Sequence, residues 1–155
     1  MRNKQKGFSL IELLIVVAII LIIAAIAIPN LLRSKIAANQ ASAVGSLRTL
    51  NTACIAFSTS YGQFPAALSN LGPVGSGGTA SSSSADLIDS VLSGGTKSGY
   101  VFTFTAGTSN QSYSITATPI TAATTGQNMY YTDQSGVIRV DTSGTGASSS
   151  STPIG

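Results

Sequence analysis

Residues 7–30 read GFSLIELLIVVAIILIIAAIAIPN, and this stretch decides the architecture. From Phe8 to Ile28 the run is apolar apart from Ser9 and Glu12, and Leu13 to Ile28 has no polar side chain at all. As a helix, about 21 residues reach about 32 Å, the thickness of a bilayer's hydrocarbon core. Ahead of it lies a short basic leader with Arg2, Lys4 and Lys6, which favours a cytoplasmic N-terminus. Arg33 and Lys35 on the far side weaken that bias a little. Pro29 removes one backbone bond and is expected to kink the helix rather than end it, because Asn30 to Tyr61 continues in helix formers with no further proline.

Working outward, Val44, Leu47, Leu50, Cys54, Phe57 and Tyr61 recur at spacings of three and four, one apolar stripe on an otherwise polar helix. Arg48, Asn51, Thr52 and Ser58 are expected on the opposite face. Gly62 and Pro65 stop the helix. Residues 75–84, GSGGTASSSS, read as a flexible loop. Ser84 to Leu92 is expected as a short helix burying Leu87, Ile88, Val91 and Leu92, with Gly94–Gly95 as its stop. Four strands follow: Tyr100–Thr105, Tyr113–Thr118, Met129–Thr132 and Val137–Val140, with turns at Gly107–Gln111 and Asp133–Gly136. Alternation places Tyr100, Phe102 and Phe104 on one face.

The fold class is therefore α+β. A long N-terminal helix, with a membrane half and an amphipathic half, packs against a small antiparallel sheet. The expected divisions are a leader 1–7, an apolar helix half 8–29, and a globular part 30–155. The globular part comprises helix 30–61, variable loop 62–99, sheet 100–141 and a flexible tail 142–155.

Composition narrows the function. Only 8% of residues are charged, far below the usual quarter for a soluble globule. Beyond Gly7 the cations Arg33, Lys35, Arg48, Lys97 and Arg139 balance the acids Glu12, Asp86, Asp89, Asp133 and Asp141, so no basic face for nucleic acid is expected. There is no His, no Trp, one Cys and one Glu, which excludes a His-based triad, a CxxC site and an internal disulfide. No enzyme is expected. Cys54 reads as core, and Tyr100, Phe102, Phe104, Tyr113, Tyr130 and Tyr131 as sheet packing.

Glu12 is the informative residue. A carboxylate within a membrane helix costs about 3 kcal/mol on insertion scales. Two readings meet there. Glu12 snorkels to the cytoplasmic headgroups, or it pairs with a cation. Cleavage after Gly7 would supply that cation as the new amine of Phe8, four residues before Glu12 and on the same helical face. Pairing between neighbouring subunits would set their register, as a single buried polar pair can.

The run Gly7-Phe8-Ser9-Leu10-Ile11-Glu12-Leu13, after a basic leader and before an apolar helix with Pro29, resembles the class III signal of type IV pilins and type II secretion pseudopilins. The resemblance covers residues 1–65 closely and the remainder in outline. It implies cleavage between Gly7 and Phe8, N-methylation of Phe8, assembly through Glu12 and a helix kink at Pro29. It implies as partners the chain itself in a homopolymer filament, a prepilin peptidase/N-methyltransferase, an inner-membrane assembly platform, and lipid before assembly. The expected location is the inner membrane as a single pass, then a periplasmic or cell-surface filament.

Two departures bear on the reading. Many type IV pilins staple the C-terminal region with a disulfide, which Cys54 alone cannot form. Major pseudopilins often bind calcium in a late loop. Asp133 and Asp141 lie near that end, but calcium needs six to eight oxygen ligands, and no cofactor or metal is expected. The function expected is a type IV pilus subunit, with a type II secretion pseudopilin as the alternative. Two further readings stay open. One is an ordinary secreted protein cut after Ala25-Ile26-Ala27; the other is a membrane-anchored binding module.

Overall fold

The computed structural model describes Gly7 to Ile154; the leader residues Arg2, Lys4 and Lys6 lie outside the described residues. Helix α1 runs Leu10–Tyr61 and continues through Pro29. It ends where expected: Gly62 adopts φ 75° and its N–H donates to Ser58 O at 2.9 Å, a left-handed C-terminal cap that glycine reaches without strain. The chain divides into two units, Met1–Lys35 and Ile36–Gly155. In the first, the apolar helix half leaves every large apolar side chain from Phe8 to Leu32 exposed, Leu32 least at 43%.

The second unit carries the sheet, six antiparallel strands in the order of the chain: β1 Thr96–Lys97, β2 Tyr100–Ala106, β3 Tyr113–Pro119, β4 Met129–Asp133, β5 Arg139–Asp141 and β6 Thr152–Pro153. Each pairs with its sequence neighbour, with Phe102 opposite Ala117, Ile115 opposite Thr132 and Tyr130 opposite Val140. The alternation expected in β2 holds: Tyr100 and Phe102 are buried, Phe104 is half-buried, and Val101, Thr103 and Thr105 face out. Leu47, Leu50, Cys54 and Phe57 of α1 join Tyr100, Phe102, Tyr113, Ile115, Ala117, Tyr130 and Ile138 in one core. The helix stripe is therefore covered by the inner face of the sheet.

Several expectations are corrected, and the last expected strand, Val137–Val140, starts two residues later as β5, Arg139–Asp141. Asn51 is buried rather than on the polar face: its Nδ2 donates to Thr132 Oγ1 at 2.8 Å, and its Oδ1 accepts from Tyr113 Oη at 3.1 Å. It follows Leu47 by four residues and precedes Cys54 by three, so helical geometry puts it inside the stripe.

The expected helix over Ser84–Leu92 is one turn only, α2 at Ser90–Ser93. Upstream, the N–H groups of Ala85, Asp86, Leu87 and Ile88 donate to carbonyls of Asn70, Gly72 and Leu71 instead of to one another. Asp89 then caps α2 by accepting from Leu92 N–H at 2.7 Å. Ile88 and Leu92 are buried as expected, whereas Leu87 and Val91 are exposed.

The stretch 142–155, expected as a flexible tail, contributes β6, and Ile154 packs against the core. Loop 62–99 likewise holds a buried 3-10 turn, Leu68–Leu71, besides α2 and β1.

Candidate functional site: the N-terminal turn of α1

Gly7, Phe8 and Ser9 precede the helix in irregular backbone, and Phe8 is 79% exposed. Ser9 is the N-cap. Its Oγ accepts from Ile11 N–H at 3.3 Å, while Glu12 reaches back so that Oε2 accepts from Ser9 N–H at 2.9 Å. The pair is a variant of the capping box, with the Ser9 hydroxyl on Ile11 N–H in place of Glu12 N–H, and it satisfies two backbone donors at the helix start. The carboxylate also sits at the positive end of the helix dipole, a favourable place for an anion. The sequence carries the signal as Ser9-Leu-Ile-Glu12, a hydroxyl and a carboxylate three residues apart at the start of an apolar run.

Glu12 thus has an intrachain partner before any cleavage, and it is the backbone N–H one residue beyond Phe8. Among the described residues, a Cβ built on Gly7 would have no heavy atom within 4 Å. Packing among the described residues therefore places no demand for glycine at this position. Leu10 to Ile28, about 28 Å of helix, forms a segment long and apolar enough to cross a membrane, with Glu12 as its single acid.

The second unit offers little chemistry. Cys54 is a free, buried thiol whose burial pushes it up to about 12, leaving it protonated and inert at neutral pH. Among the described residues, no group of three or more His, Cys, Asp or Glu side chains comes together. The ion pair between Lys97 Nζ and Asp89 Oδ2, at 3.0 Å, is solvent-exposed and contributes little.

Comparison with known proteins points the same way as the N-terminal geometry. The family described as "Prokaryotic N-terminal methylation motif" matches residues 2–28. The type IV major pilin protein PilA of Myxococcus xanthus is 52% identical over 50 residues, covering 32% of this chain and 23% of that protein. The type IV major fimbrial protein FimA of Dichelobacter nodosus is 52% identical over 59 residues, covering 36% of this chain and 37% of that protein. The type II secretion system core protein G of Aeromonas hydrophila is 31% identical over 64 residues, covering 41% of this chain and 45% of that protein. The matched segments therefore span less than half the length of each of these relatives, and no solved structure matches. In its N-terminal part, this chain matches the prokaryotic N-terminal methylation motif and is similar to type IV major pilin and fimbrial proteins and to a type II secretion system core protein.

Proposed function

We propose that this chain is a structural, non-catalytic subunit of a type IV pilus. It is cut between Gly7 and Phe8 by a prepilin peptidase, methylated on the Phe8 amine, and polymerised through its N-terminal helix with the help of an inner-membrane assembly platform. The observation that carries the reading is Glu12, a single carboxylate one helical turn from a terminus that becomes cationic on cleavage, in a helix half whose large apolar side chains are all exposed. That half has two ways to leave water: lipid, as a single pass of the inner membrane before assembly, and the helices of neighbouring subunits in a surface filament after it. In the filament, the Glu12 carboxylate pairs with the Phe8 amine of a neighbour, which offsets its cost in the apolar surroundings and sets the register. The space around Gly7, open among the described residues, supports a glycine requirement imposed from outside, by an enzyme that must approach the backbone. The pilin and fimbrial relatives favour a pilus; the similarity to a secretion core protein keeps the pseudopilus as the second reading, and the two share this N-terminal chemistry.

Two Glu12 variants test the mechanism. Glu12→Leu removes both the charge and the cap, while Glu12→Gln keeps a capping-box acceptor without the charge. Both variants should be inserted and cut, with a mature chain beginning at Phe8 by intact mass and N-terminal sequencing, and both should fail to assemble. Filaments built normally by Glu12→Gln would mean that Glu12 acts as a cap and not as an ion-pair partner. A mature chain beginning at Ile28 would overturn the processing reading altogether.

A further inference from the structure

Beyond β5 the chain turns back around one side chain. The Asp141 carboxylate takes four donors. Ser143 N–H at 3.0 Å and Ser143 Oγ–H at 2.6 Å reach Oδ1; the N–H groups of Thr145 and Gly146, each at 3.0 Å, reach Oδ2. Thr145 Oγ1 lies 2.8 Å from Ser143 Oγ and extends the chain of hydroxyls. Gly144 and Gly146, at φ 77° and 126°, give the backbone the reversals that aim successive N–H groups at one point. The turn delivers β6 to the open edge of β5. There Ile154 N–H donates to Ile138 O at 2.7 Å, and Arg139 Nη1 donates to Ser151 O at 3.1 Å. The strand covers an edge that would otherwise present unpaired backbone groups.

We infer that Asp141 is the staple that holds the C-terminal segment 142–154 against the sheet, and that this staple works without a cation. Calcium is the ligand that the resemblance to major pseudopilins raises for this end of the chain, and the residues do not fit it. An ionised carboxylate has about four acceptor sites, and here all four face N–H or O–H hydrogens. A cation would have to displace three backbone donors from them and still gather six to eight oxygens. Asp133, the other candidate, turns Oδ1 to Ser135 N–H at 2.9 Å. The loop has inverted polarity: an anion at the centre of donors, where a calcium loop sets a cation at the centre of acceptors. The same hydrogen bonds, those of Ser143 foremost, hold the Asp141 carboxyl down to about 2. Because the folded value lies below the ordinary one, the staple is fully present above the ordinary carboxylate range and is lost as pH falls through about 2.

The test uses the full chain in detergent micelles at neutral pH, with thermal melting followed by circular dichroism and protease mapping of residues 142–154. The wild-type midpoint should be the same in calcium and in chelator. Asp141→Ala should lower it by a few degrees and open the segment to protease several-fold faster. Asp141→Asn should fall between, since one amide oxygen keeps one pair of donors while its NH2 opposes the other. A wild-type midpoint raised by calcium, with the response lost in Asp141→Ala, would make the loop a cation site and overturn the inference. Unchanged melting and protease resistance in Asp141→Ala would equally overturn it, because the segment would then be held by β6 and Ile154 alone.

Discussion

Replacing Asn51 with alanine removes the polar link between α1 and the sheet. In the wild type, Asn51 Nδ2 donates to Thr132 Oγ1 at 2.8 Å and more weakly to Gly136 O at 3.3 Å, while Oδ1 accepts from Tyr113 Oη at 3.1 Å. Thr132 survives the change best, because its Oγ1 still donates to Val137 O at 3.1 Å. Tyr113 is the casualty: it is buried, and its hydroxyl loses the acceptor that Asn51 provides. A stranded buried donor costs about 1–3 kcal/mol, and the lost hydrogen bonds of Asn51 itself bring the total to about 2–4 kcal/mol.

The globular unit, Ile36–Gly155, has about 120 residues, so its melting entropy is about 0.25 kcal/mol/K and the midpoint should fall by about 8–16 °C. Asn51→Leu should be no better, since a similar volume without an acceptor leaves the same hydroxyl stranded. The deciding measurement is a double-mutant cycle with Tyr113→Phe. Once the phenol oxygen is gone, Asn51→Ala has less to strand, and the pair should be milder than the sum of the singles by about 1–2 kcal/mol. Additivity within about 0.5 kcal/mol would refute the argument and mean that the Tyr113 hydroxyl does not depend on Asn51.

Other outcomes follow from the same core. Phe57→Ala should destabilise the globular unit by about 3–5 kcal/mol in denaturant titration, since the ring is almost wholly buried among helix and sheet residues. Gly126→Ala should cost about 1–3 kcal/mol by thermal melting, because a Cβ there overlaps the ring and hydroxyl of the fully buried Tyr100, whose Oη donates to Asn128 O at 2.9 Å. Cys54, with its thiol pushed up to about 12 by burial, should resist thiol reagents at neutral pH unless the domain opens. Asn51→Ala should then speed its labelling roughly 30- to 1000-fold, in line with the lost stability. Rapid labelling of the wild type would show that the core opens locally at the helix stripe. Gly7 replaced by a bulky residue should leave uncut precursor in the membrane, visible as an unshortened mass.

What was legible from the sequence alone was whatever is encoded by period and by local chemistry. The apolar run Phe8–Ile28 needs no tertiary context to be read, because a bilayer-length stretch that is apolar apart from Ser9 and Glu12 admits few other uses. The same holds for the stop at Gly62, where only a left-handed residue closes the helix, and for β2 and β3, whose alternation repeats over a full strand length. The capping box of Ser9 and Glu12 was equally local and could have been read from spacing alone.

Tertiary structure decided what depends on partners distant in the chain. Asn51 looks like a surface residue until Tyr113 and Thr132, from β3 and β4, arrive to satisfy its amide; its polarity argued outward while its helical position argued inward, and the sheet settled which prevailed. Residues 85–88 carry a helical pattern, yet their N–H groups find carbonyls at 70–72, and such long-range backbone pairing leaves no periodic trace. β1 and β6, two residues each, are too short to carry any pattern. The serine-rich C-terminal stretch is ordered because a carboxylate at Asp141 and an open strand edge at β5 give it somewhere to bind. Composition records that a segment has no apolar face of its own; it cannot record that the rest of the fold supplies one.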